Sequence, residues 1–221
     1  IRFDKEWRKI HYDFFENFVA GQDSMFPTAI YPVFGLSATF NTLLTELYME
    51  KNRNQTIVNY VQNLGDDLKR VFIRIIKRNK WLSPSTKAAA LKKFEYMKLI
   101  IGSPSYLRPD PILDYKENDA WGNMIKMANW RVEQAVTYDG KKVIDIPAYD
   151  WKAFKMSGKQ AYIVNCFYFA PQNSIFIPLA YLQKPFIDLE ERGIEYNLAH
   201  IGYALGHELS HALDTTGSNY D

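Results

Sequence analysis

A single cysteine, Cys166, stands in 221 residues. One thiol cannot build an internal disulfide framework or a cysteine-only zinc finger, which leaves the cellular compartment open. Uncompensated charge is also lacking: 27 Lys and Arg face 25 Asp and Glu, for a net charge of +2. Polyanion binding is driven by clustered, excess Lys and Arg, so no nucleic-acid partner is expected. Nor is there an unbroken hydrophobic run. Two charge-free windows, Ser24 to Thr45 and Ala161 to Gln183, have the length to cross about 30 Å of hydrocarbon as a helix. The first is interrupted by Pro27, Pro32 and Gly35, the second by Pro171 and Pro178 beside Gln172, Asn173 and Ser174. Such breakers free backbone groups that lipid cannot satisfy, so no membrane span is expected within this chain. Internal repeats and low-complexity tracts are missing. The start at Ile1 shows neither an initiator Met nor a signal-peptide pattern, so targeting information is expected to be absent from the chain as given.

What is present is enough to fold. At 47% apolar and 15% aromatic, the chain can bury a sizeable core as one large or two small domains. Helical periodicity dominates. Leu36 to Lys51 places Leu36, Phe40, Leu43, Leu44, Leu47 and Tyr48 on one stripe, and Ile57, Val61, Leu64, Leu68, Val71, Phe72, Ile75 and Ile76 make a second. Lys69, Arg70, Arg74, Lys77 and Arg78 fall mostly off that stripe and read as a solvated face. Ser83-Pro84 is a helix start, with Ser83 as cap and Pro84 where a missing N–H is harmless. The helix it opens, through Ala88 to Ile101, is expected to end at Gly102-Ser103-Pro104. Ser103 to Glu117 reads as loop, and Asn118 to Tyr138 as a helix ended by Asp139-Gly140. Tyr162 to Ala170 reads as a strand, Pro171 to Ser174 as a turn, and Ile175 to Ile177 as the returning strand. Asn54-Gln55-Thr56 is a glycosylation tripeptide if the protein is secreted, and carries no functional weight.

The chemistry sits on the expected helix Glu195 to Leu213. His207-Glu208-Leu209-Ser210-His211 is an H-E-x-x-H arrangement. Four helical residues advance about 6 Å and return to nearly the same face, so His207 and His211 can direct imidazole nitrogens at one metal about 2.0 to 2.1 Å from each. Glu208 lies about 100° round from His207, placed to take a proton from a zinc-bound water. Ile201, Ala204, Leu205, Leu209, Ala212 and Leu213 make the helix apolar on most sides, as a buried site helix should be. Asp214, three residues past His211, either orients a ligand imidazole or is a plain helix-end carboxylate. His200 lies about 10 Å along the helix from His207, too far to share a metal, and reads as structural.

Gly206-His207-Glu208-Leu209-Ser210-His211-Ala212-Leu213-Asp214 resembles the zinc signature of the neprilysin family of metallopeptidases, a gluzincin group that includes endothelin-converting enzymes and bacterial oligopeptidases. Val164-Asn165-Cys166-Phe167-Tyr168 is similar to that family's substrate-binding strand. Ile175 to Phe186, Trp81 to Lys87 and Ile101-Gly102 also fit its pattern, so the likeness runs from about Gly21 onward. The resemblance implies a zinc metalloendopeptidase that hydrolyses peptide bonds of oligopeptides through a zinc-bound water activated by Glu208. It implies His207 and His211 as zinc ligands, Glu208 as general base, and Asn165 as an anchor for the substrate backbone, added as an extra strand. Cys166 would act there through its backbone. Tyr181, Phe186, Tyr203 and Ala204 fall where the family lines a substrate pocket; read without it, these are core positions. An extracellular or cell-surface setting is also implied, with any anchor outside this chain.

Departures accompany the likeness. Cys166 stands where Ala is usual, Tyr181 for Ile, Lys184 for Pro, and Thr215 for a second Asp. The family's third ligand is a Glu beyond the signature, and no third His of the metzincin kind replaces it, since Gly217 occupies that position. Two histidines fall short of the three protein ligands of catalytic zinc, so the remaining portion of the same peptidase is expected to supply that Glu. The alternative is a catalytically silent fragment or relative acting as a binding or structural module. The fold expected is mainly α with a small β-sheet, an α+β arrangement whose sheet bears the Asn165 strand and turns an edge to the active helix. By resemblance it is a thermolysin-like zinc-peptidase half-domain plus a helical region. Residues 1–104 form that helical region, which could join a second lobe, and residues 105–221 begin the catalytic domain.

Overall fold

The computed structural model describes residues 5–103, 109–142 and 160–220. Among these the chain forms α1 (Lys5–His11, continued by a π-helical stretch Tyr12–Val19), α2 (Ile30–Thr39), α3 (Asn41–Asn52), α4 (Gln55–Arg78), α5 (Pro84–Tyr96), β1 (Lys98–Gly102), α6 (Ala120–Thr137), β2 (Phe167–Phe169), β3 (Ser174–Pro178), α7 (Ile194–Asn197) and α8 (Tyr203–Ser210). The fold is mainly helical with one small sheet, as the periodicity implies. No described helix is long and apolar enough to cross a membrane.

Two compact units result, one from Ile1–Asn41 with Pro109–Met156, the other from Thr42–Arg108 with Ser157–Asp221. In the first, the helix expected over Leu36 to Lys51 is broken at Phe40 (φ −116°, ψ 62°). The Phe40 ring meets Tyr115 edge-on, with centroids 5.3 Å apart, a tertiary contact that outweighs the continuous apolar period. Pro32 sits in the first turn of α2, where no helical N–H is lost, so it does not break that helix. Asp119 caps α6 by accepting the Gly122 N–H at 2.9 Å.

The second unit holds the site. Asn54 is the N-cap of α4, its Oδ1 accepting the N–H groups of Thr56 (3.0 Å) and Ile57 (3.2 Å). Val61 and Ile76 are buried on α4, whereas Ile75, expected on the same stripe, is 57% exposed. Gly65 lets α4 approach its neighbours: a Cβ there would lie 2.8 Å from Leu99 and 3.5 Å from Leu205. Arg70, Arg74, Lys77 and Arg78 are exposed as expected, but Lys69 is half-buried and donates to the Glu95 and Met97 carbonyls at the end of α5. Ser83 caps α5 through the Thr86 N–H (3.1 Å), with Pro84 at the first position.

That helix stops at Tyr96 instead of continuing to Ile101. Lys98–Gly102 leaves it to pair in parallel with β3, Leu99 opposite Ile175 and Ile101 opposite Ile177. Paired strand burial outweighs helix propensity for this β-branched run. The strand order is β1-β3-β2, with β2 antiparallel to β3. Every residue of the central strand β3 is buried, which explains the apolar run Ile175 to Ile177 within it. The strand expected over Tyr162 to Ala170 shrinks to Phe167–Phe169, because only those residues have a partner in β3. Asn173, at φ 45°, turns the hairpin. The boundary placed at residue 104 falls at the edge of residues 104–108, which lie outside the described residues, as does part of the loop expected from Ser103; β1 before it and β3 after it share one sheet.

Buried Asn197 on α7 fastens the preceding loop by exchanging hydrogen bonds with the Asp188 backbone, both at 2.9 Å. The Asp188 carboxylate accepts the Glu190 and Glu191 N–H groups and pairs with Lys184 at 3.2 Å. The Glu191 N–H leads in holding its pKa below the ordinary value, with Lys184 adding and burial opposing. A depressed folded pKa gives stability that is complete above the unfolded value of about 3.9 and is lost as pH falls through the folded value. Asp188→Asn is therefore expected to melt below wild type at neutral pH, with the gap closing below about pH 4. Thermal melts across pH check this, and a gap of constant size would contradict it.

Candidate metal centre

The helix expected over Glu195 to Leu213 is present from Ile194 to Ser210 but passes through a π-helical turn, Leu198–Gly202, between α7 and α8. It ends three residues early. His211 is the C-cap, its N–H reaching the His207 and Leu209 carbonyls. Leu205, Leu209 and Ala212 are fully buried and anchor the helix, as their spacing requires.

On this anchored helix the two imidazoles converge, His207 Nε2 and His211 Nε2 lying 3.0 Å apart with the rings nearly perpendicular. Two nitrogens on one tetrahedral ion at about 2.0–2.1 Å are about 3.3 Å apart, so the pair fits a shared metal with little adjustment. Glu208 is 5% exposed. The candidate ligand atoms of His207, Glu208 and His211 all lie within 4.8 Å of one another. Burial pushes the Glu208 carboxyl above its ordinary value, opposed by the two histidines and by the Tyr168 N–H it accepts. A proton acceptor raised in this way is suited to general-base work.

Asp214 meets His211 directly: Oδ2 lies 2.7 Å from Nδ1, while Oδ1 accepts the N–H groups of Thr216 (2.9 Å) and Gly217 (2.7 Å). The Gly217 N–H is the leading cause of its lowered pKa, and His211 the next. A carboxylate on Nδ1 leaves Nε2 free for a metal. His200 instead bonds the Tyr196 carbonyl at 2.9 Å and stacks on the Tyr196 ring, consistent with a structural reading.

The remaining residues are less tightly gathered. Asn165 is exposed, two residues ahead of β2, with its Oδ1 accepting the Cys166 N–H at 2.9 Å. Cys166 is buried, and burial first, then the Glu208 charge, pushes its thiol far up. Tyr181 stacks on Phe186 with centroids 4.3 Å apart. Its phenol is also raised, by burial first and then by Cys166 and Glu208, which marks the three as neighbours. Tyr203 is 71% exposed over His207, whereas Ala204 is packed into the core. The residue that sequence reasoning missed is Tyr168, whose contribution is a backbone N–H and so leaves no side-chain signature.

Two family models described as peptidase family M13 match the chain, over residues 2–104 and 165–221. Among curated relatives, neprilysin-1 of Caenorhabditis elegans is 27% identical over 195 residues, covering 84% of this chain and 24% of its own. A neutral endopeptidase of Lactococcus lactis subsp. cremoris is 30% identical over 164 residues, covering 70% of this chain and 24% of its own. The chain thus spans about a quarter of the length of the curated relatives it matches. Among solved structures, zinc metalloprotease 1 of Mycobacterium tuberculosis superimposes with a TM-score of 0.82 at 22% identity, over 98% of this chain and 31% of that one. PepO of Lactobacillus rhamnosis superimposes with a TM-score of 0.77 at 23% identity, over 93% of this chain and 31% of that one. Both establish the fold.

Proposed function

The chain belongs to peptidase family M13, and from that premise we propose that it carries part of the active site of a zinc metalloendopeptidase acting on oligopeptides. The observation that carries the proposal is the pair of Nε2 atoms 3.0 Å apart beside a buried Glu208. His207 and His211 hold the metal, and a Glu from outside residues 1–221 completes the protein ligands. When bound, zinc supplies Lewis acidity and brings a water's pKa towards about 7. Glu208 accepts the proton of the attacking water and returns it to the leaving amine, its carboxylate steadied by the Tyr168 N–H. Asp214 orients His211.

The substrate adds as an extra strand beside the segment of Asn165 and β2, the last strand in the order of the described sheet, its backbone bonded to that segment and to the Asn165 amide. This mode reads backbone and tolerates varied side chains. Tyr181, Phe186 and Tyr203 line the pocket for the residue after the bond to be cut, while Ala204 packs into the core behind them.

Elemental analysis of the natural full-length protein is expected to find one zinc per chain. Peptide hydrolysis should disappear with a chelator and return with added zinc. A protein without stoichiometric metal or chelator-sensitive hydrolysis would instead be the silent binding module.

A further inference from the structure

A buried lysine far from the motif in sequence braces the loop behind it. Lys93 lies on α5 between the buried Ala90 side and Phe94 and is itself only 7% exposed. An ammonium taken out of water is costly unless its donors are satisfied. Its Nζ donates to the Gly217 and Tyr220 carbonyls, each at 2.5 Å, across 124 and 127 residues of sequence. Gly217 is therefore gripped on both sides, its C=O by Lys93 and its N–H by Asp214 Oδ1. The same glycine lies against the end of the site helix: a Cβ on Gly217 would sit 1.8 Å from the His211 carbonyl oxygen. Asp214 in turn holds His211 Nδ1 through its other oxygen.

The backbone of Lys93 reaches the base as well. Its carbonyl accepts Asn173 Nδ2 (2.7 Å), Asn173 Oδ1 accepts the Tyr168 hydroxyl (3.2 Å), and the Tyr168 N–H bonds Glu208. Both the His211 imidazole and the Glu208 carboxylate are thus linked to one residue of α5. Resting on the zinc reading above, we propose that Lys93 is a positioning residue for the metal centre: its ammonium fixes the loop 214–220 so that Asp214 presents His211 to the metal.

The full-length protein, Lys93→Met, Asp214→Ala and the double variant are compared for zinc dissociation constant, by competition with a chromophoric chelator, and for melting of the metal-free form. Lys93→Met keeps the apolar stem and removes the donor. It should weaken zinc binding by about tenfold, and Asp214→Ala by about 10- to 100-fold. If Lys93 acts through Asp214, the double variant binds zinc within about twofold of Asp214→Ala alone. A purely structural lysine would shift the melting point and leave the zinc constant unchanged, or give losses that multiply in the double variant; either overturns the inference. Should Lys93→Met not fold, Lys93→Gln, which keeps an N–H donor on a shorter arm, is read by the same two measures. A wild type that binds no zinc overturns the metal reading and this inference together, whereas a zinc-binding wild type with an unaffected Lys93 variant overturns only the inference.

Discussion

Glu208→Gln is expected to lower kcat/KM for peptide hydrolysis by about 10²–10⁴-fold while zinc content stays unchanged, the usual contribution of a positioned general base. In barrier terms that is about 2.7–5.5 kcal/mol. Gln has the same shape and can still accept the Tyr168 N–H that the carboxylate accepts, so the substitution removes basicity and little else. The pH profile adds a second reading. An acid limb of the wild-type rate that reports protonation of Glu208 should be missing from the variant. Stability runs the other way. A buried carboxylate whose pKa is raised is destabilising when ionised, so the metal-free Gln variant should melt no lower than wild type at neutral pH. Equal kcat/KM for both proteins would remove Glu208 from the mechanism. Simultaneous loss of zinc would make it a ligand and not a base.

His211→Ala should abolish stoichiometric zinc, and with it all chelator-sensitive hydrolysis. The substitution deletes one of the two converging Nε2 atoms and strands Asp214, whose Oδ2 now has its partner 2.7 Å away. One remaining His cannot hold a catalytic zinc that requires three protein ligands. The fold should survive. His211 caps the end of α8 with a side chain 41% exposed, while the fully buried Leu205, Leu209 and Ala212 that anchor the helix are untouched. Metal analysis after dialysis against zinc, beside a circular dichroism spectrum, tests both halves. A variant that retains one zinc per chain would refute the assignment of His211.

The H-E-x-x-H spacing was legible in the sequence because helical geometry is local: residues four apart face the same way wherever a helix forms. Caps were legible for the same reason, as Ser83-Pro84 and Asp119 show. Boundaries set by distant partners were not. Lys98 to Gly102 carries the composition of a helix end, yet it becomes a strand because β3 offers it a parallel edge. Tyr162 to Cys166 has strand-forming residues but lies outside the register with β3, so the strand starts only at Phe167. Phe40 interrupts an apolar period for the sake of a ring contact with Tyr115.

The sequence by itself determined the histidine pair on one helical face, the carboxylate between its members, the family and the mainly helical class, since each depends on residue type and short spacing. Only the tertiary structure decided how those groups are held. The Tyr168 N–H on Glu208, the Asp214 oxygens divided between His211 and the Gly217 backbone, and the Lys93 ammonium 124 residues from Gly217 are bonds to backbone atoms that every residue possesses. Chain folding selects which of those atoms come within reach, and a carbonyl or amide leaves no mark in the amino-acid sequence.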